Sequence, residues 1–155
     1  MSRGKLELTV QFAMNDSGAP PTGFIVDCAA RALGDADGEV VIRIVDETES
    51  AMLNERFRGK PGPTNVLAFP GGDAVAAEVD ARVLGDVVIC APVVAKEAGA
   101  QGKALDAHWA HIVIHACLHL RGFDHESEAE ARQMERRERA LLAELGIADP
   151  YGGDG

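Results

Sequence analysis

The chain has little cysteine, little positive charge and no long apolar run, and each shortage closes off a class of protein. Only three cysteines occur in 155 residues, Cys28, Cys90 and Cys117. They are odd in number, far apart and flanked by apolar residues, which excludes a disulfide framework and predicts reduced, buried thiols in the cytoplasm. None forms a CxxC pair, so a cysteine-rich structural zinc site is not expected. Fifteen Lys and Arg face twenty-five Asp and Glu, a formal charge of -10, which repels polyanions at long range. Any contact with RNA must therefore be local. No apolar stretch reaches the length that crosses a bilayer, and the opening MSRGKLELTVQF lacks the apolar region and small-residue cleavage site of a secretory signal.

What remains is ordinary for a folded domain. Hydrophobic residues make up 46% and charged residues 26% of the chain, and 155 residues suffice for one core, so a single domain is expected. Residues 5–11 alternate apolar and polar as a half-buried strand, with Leu6, Leu8 and Val10 on one side. From about Thr22 the spacing of Phe24, Ile25, Cys28, Ala29 and Leu33 predicts an amphipathic helix ending near Gly34. A strand in GEVVIRIVDE follows, and then a helix from about Glu47 to Phe57 that places Met52, Leu53 and Phe57 on one face. RGKPGPT breaks that helix and leads into a short strand over residues 65–70. Residues 71–81 read as a solvated hairpin connection and LGDVVICAP as another strand. Helices are expected at about 92–101, 105–121 and 127–145, parted at Gly102 and Gly122, with a loose tail from about 150. This order favours an α+β fold: a small mixed sheet of about four strands packed with helices.

The chemistry concentrates in one helix. All five histidines lie between positions 108 and 125, and His115, His119 and His125 fall at offsets of four and six. Residues four apart on a helix share a face one turn apart, close enough for two imidazoles to grip one ion. Gly122 can end the helix in a left-handed conformation and return His125 toward the pair. Three neutral imidazoles suit one zinc ion and leave a position open for water, which points to catalysis. His111 and His115 are also four apart but lie farther from the turn. His111 then lines the cleft or supports a ligand, and His108 reads as an ordinary, partly exposed histidine.

The metallopeptidase pattern HExxHxxGxxH has the same histidine and glycine offsets but carries a glutamate as general base where this chain has Ala116. Asp124 either orients a ligand or caps the next helix. No carboxylate cluster suited to a two-metal nuclease stands out. Asp86 reads as a structural residue at a strand start. Arg56, Arg58 and Lys60 form a basic island in an acidic chain, beside a loop in which Thr64 and Asn65 shape either a cleft or only a turn.

HACLHLRGFDH, taken with RGKPGPTNVLAFP and LGDVVIC, resembles the YbeY family, bacterial zinc-dependent endoribonucleases of ribosomal RNA maturation. The resemblance spans most of the chain. It implies zinc ligation by His115, His119 and His125, catalytic roles for Arg58, His115 and His119, and hydrolysis of single-stranded RNA by activated water. It also implies a part in ribosome quality control, with small-subunit components as partners. The departures are Ala116 for the usual glycine, Ala68 for the usual serine and Phe123 for the usual tyrosine. Two other readings stand beside it: a metallopeptidase-like hydrolase, and a non-catalytic ribosome assembly factor with a structural zinc.

Overall fold

The computed structural model describes residues 6–71, 83–123, 127–148 and 150. Strand β1 (Leu6–Phe12), helix α1 (Thr22–Leu33) and strand β2 (Gly38–Val45) open the chain. Helix α2 (Glu47–Arg58), strands β3 (Val66–Pro70) and β4 (Val83–Cys90), and helices α3 (Ala91–Gln101), α4 (Leu105–Leu120) and α5 (Glu128–Glu144) follow. The expected hairpin connection at 71–81 and the tail beyond 150 lie outside the described residues, except for Gly71.

The four strands form one mixed sheet in the order β1-β2-β4-β3. β1 pairs parallel with β2 and β2 parallel with β4, whereas β3 runs antiparallel to β4. The α+β expectation is met. Parallel pairing of β1 with β2 requires a crossover, and α1 supplies it.

Alternation along the strands divides the apolar residues between two faces. Val40, Ile42, Ile44, Val87 and Ile89 join α1, α4 and α5 in the main core, with Trp109, Ile114, Leu118 and Leu142 fully or almost fully buried. On the other face Val45, Leu67, Val88 and Cys90 make a smaller cluster with Leu53 and Phe69. α2 covers only part of that face. Of the apolar face read from the sequence of α2, Leu53 packs on this cluster, while Met52 and Phe57 are 55% and 57% exposed. The helix buries Ser50 and Asn54 instead, because both side chains hold the loop that follows.

α4 presses closely on the sheet at Gly85. A Cβ built there would lie 2.5 Å from Leu120 Cδ2 and 2.8 Å from the carbonyl oxygen of Phe69. Glycine at this place lets β4 accommodate both the end of α4 and its neighbouring strand. All three cysteines are buried and unbridged, as expected. No described helix is long and apolar enough to cross a membrane.

Two predictions follow from the packing. Gly85→Ala should lower stability by about 1–3 kcal/mol, since backbone and a packed leucine must both move; urea unfolding measures it, and an unchanged midpoint would refute the close approach. Burial, aided by neighbouring charge, raises the Cys28 thiol from 9.0 to about 12, and burial does the same for Cys117. The folded chain therefore keeps protons that the unfolded chain releases above pH 9. Stability should fall as pH rises from about 9 toward 12, by up to about 1.4 kcal/mol per pH unit for each thiol. Unfolding curves should show a flatter decline for Cys117→Ala than for the unaltered chain.

Candidate metal and RNA site

Steps of three, four and four keep His108, His111, His115 and His119 on one face of α4. Their ring centroids are spaced 6.3, 6.3 and 5.0 Å along the helix. This face looks into a cleft of about 840 Å³, walled by β3 and by the C-terminal end of α2. Arg58, His115 and His119 all line it, so the fold brings together the three described residues singled out from the sequence. His125 and Asp124 lie outside the described residues.

α4 ends at a core residue, Leu120. The Phe123 N–H donates to Leu118 O at 3.1 Å and the Gly122 N–H to His119 O at 3.0 Å, with Gly122 at φ 99°. This double closure satisfies terminal carbonyls and requires a residue that tolerates positive φ. Phe123 then packs on the main core. Gly122 thus ends the helix at positive φ as expected from the sequence, while the expected return of His125 lies outside the described residues.

Glu138, on α5, is the principal residue of the site that sequence reading missed. It is fully buried, yet its two carboxylate oxygens meet two rings of the histidine stripe. His111 Nε2 lies 3.1 Å from Oε1 and His115 Nδ1 lies 2.5 Å from Oε2. A buried carboxylate is costly unless hydrogen-bonded, and these rings supply the donors. A signal was present: Glu138 shares an apolar stripe with Met134, Leu141 and Leu142, and a lone acid on a buried face calls for a partner.

His108 differs from its expectation. It is 4% exposed rather than partly exposed, because α3 packs beside this end of α4. Its Nε2–H donates to Glu97 Oε1 at 2.9 Å, and Asn65 Nδ2 donates to both Glu97 oxygens at 3.2 and 3.3 Å. Asn65 thus shapes the cleft as well as the turn.

Arg58 is placed by the architecture of α2. Asp46 caps the helix start by accepting from the Glu49 N–H at 2.9 Å, and Gly59 ends the helix in the left-handed conformation. Ser50 Oγ donates to Thr64 O and accepts from the Thr64 N–H, each at 3.0 Å, while Asn54 Nδ2 donates to Gly62 O at 2.9 Å. These bonds fold the Pro-Gly loop back along α2 and leave Arg58 beside the cleft. The basic island divides: Arg56 lies over the Phe57 ring, 5.5 Å from its centroid, and neither Arg56 nor Lys60 lines the cleft. Lys103, not singled out from the sequence, joins Arg58 there. Ala68 also lines the cleft, so a serine hydroxyl at this position would face the same space. Asp86 lies within β4 rather than at its start, opposite Phe69, and borders a separate cavity that also contains Arg43 and Glu49.

The donor set fits a zinc ion in part. Among the described residues no group of three or more His, Cys, Asp and Glu is arranged to hold a metal, and the third expected ligand, His125, lies outside them. The two that are described suit the role: His115 and His119 are one turn apart with rings 5.0 Å apart. Glu138 takes His115 Nδ1, which leaves Nε2 as the nitrogen a metal would use. His111 fits less well as a ligand, since its Nε2 faces Glu138 and its Nδ1 is buried.

Comparison with known proteins bears on the family and the fold. A family model described as "Endoribonuclease YbeY" matches residues 23–146. The protein named Endoribonuclease YbeY of Methylococcus capsulatus (strain Bath) is 53% identical over 146 residues, covering 94% of this chain and 95% of that one. Its namesake in Stenotrophomonas maltophilia (strain R551-3) is 46% identical over 160 residues, with 99% of each chain covered. The solution structure of TM1509 from Thermotoga maritima has the same fold at a TM-score of 0.57 and 23% identity, covering 95% of this chain and 99% of that one. The chain belongs to the YbeY endoribonuclease family.

Proposed function

We propose that the protein is a zinc-dependent endoribonuclease that cuts single-stranded RNA during ribosomal RNA maturation and ribosome quality control, with small-subunit components as partners. The observation that carries this reading is the meeting of Arg58 with His115 and His119 in one open cleft. The names of the relatives support the RNA substrate. Three buried, unbridged thiols support a reducing compartment, the cytoplasm.

His115, His119 and His125 would hold one zinc ion. When bound, the ion supplies Lewis acidity and lowers the pKa of water toward about 7. The remaining work falls to the chain. His115 and His119, held by a buried helix, fix where the reaction occurs with little reorganisation. Arg58 offers a planar pair of donors to a phosphate and stabilises charge that grows on its oxygens in the transition state. Lys103 adds a second positive charge along the cleft and gives the RNA backbone a local foothold on an acidic protein.

A peptidase reading draws less support. The general-base position of the metallopeptidase pattern holds Ala116, which is 1% exposed and offers no proton acceptor. An assembly factor with a structural zinc would lose its fold with its metal, whereas the main core here is built from apolar residues of six separate elements.

The decisive comparison is cleavage of single-stranded RNA by the purified chain, Arg58→Ala and His119→Ala, each checked for folding and zinc content. Arg58→Ala should keep its zinc and lose about 100-fold or more in rate; His119→Ala should lose both zinc and cleavage. Chelation should stop cleavage without unfolding, and zinc should restore it. Equal cleavage by all three proteins would reject the reading.

A further inference from the structure

The stacked histidines present a choice. His111 with His115, or His115 with His119, could in principle grip an ion, since both pairs are four apart on the same helical face. Helical spacing does not discriminate between them. Glu138 does, because its contacts on the two upper rings are chemically unlike: it meets the Nε2 of His111 but the Nδ1 of His115.

An ionised carboxylate only accepts hydrogen bonds, so each ring nitrogen that faces it must carry a proton. At His115 this puts the proton on Nδ1 and the lone pair on Nε2, the outer nitrogen, which reaches farther from the helix. At His111 the proton sits on Nε2, the outer nitrogen, and the lone pair falls on Nδ1, which is buried. One carboxylate thus gives two neighbouring imidazoles opposite tautomers. His115 is left able to donate to a metal, and His111 is not.

We infer that Glu138 is the positioning residue of this site and sets its register, directing His115 Nε2 toward the metal and holding His111 out of the ligand set. The inference rests on the metal-binding reading given above and adds to it a residue from a different helix. It gives a role to a carboxylate that stands at a fully buried position of α5. It also ties the last helix, which supplies no residue to the cleft wall, to the geometry of the site.

The tautomers can be read directly. Nitrogen-15 NMR of the full chain, labelled at histidine and free of metal, should show a proton on Nδ1 of His115 and on Nε2 of His111. A bare Nδ1 at His115 overturns the inference without recourse to any variant. Cobalt(II) titration, followed by its visible spectrum, then compares the unaltered chain with Glu138→Gln and His111→Gln, with melting curves for each. Glu138→Gln should bind cobalt about 10- to 100-fold more weakly, while His111→Gln keeps the original affinity. Undiminished affinity in a folded Glu138→Gln protein, or a matching loss in His111→Gln, contradicts the inference. Absence of cobalt binding by the unaltered chain would instead sink the metal reading, and the tautomers would still report what Glu138 does.

Discussion

The site depends on how α4 is buried. The helix lies between α1, α3, α5 and the sheet, and its residues Trp109, Ala110, Val113, Ile114, Cys117 and Leu118 are enclosed in the main core. The histidine stripe, with Ile112 and Ala116, faces the cleft. Fixing such a helix from several sides removes most of its freedom to rotate or slide, so the rings stand at set heights above β3. Gly85 belongs to the same constraint, because it allows the end of α4 to come within contact of the strand layer. Positioning here is a consequence of core packing, not of local loop structure.

Polar groups complete what packing begins. Glu138 reaches His111 and His115 from α5, Glu97 reaches His108 from α3, and Asn65 joins Glu97 from the segment before β3. The buried Glu138 and the half-buried Glu97 are each satisfied by side chains from another element. On the opposite wall Ser50 and Asn54 perform the same service for the Pro-Gly loop. Preorganised groups of this kind favour a reaction in which charge develops at a fixed place, since little reorientation is needed when it appears.

Much of this was legible in the sequence. Periodicity located every described strand and helix to within about two residues, a margin common to helix and strand ends, and the spacing of the histidines with Gly122 marked the cleft-facing helix and its turn. The exposure of Met52 and Phe57 on α2 was not legible, because with Leu53 they have the spacing of a packing face, whereas Leu53 alone of the three joins the smaller cluster and Ser50 and Asn54 are the buried anchors. Nor was the burial of His108, which depends on α3 folding across its ring. Glu138 and Lys103 reach the site only through tertiary contact, and sequence distance conceals that: Glu138 is twenty-three residues from His115.

The central claim is that the histidine pair and Arg58 act on one phosphate. A crystal structure of the zinc-loaded chain with a short single-stranded RNA carrying a cleavage-resistant linkage tests it most directly. One phosphate should lie between the zinc held by His115, His119 and His125 and the guanidinium of Arg58. Zinc on a different set of residues, or RNA bound with no phosphate near Arg58, would contradict the claim.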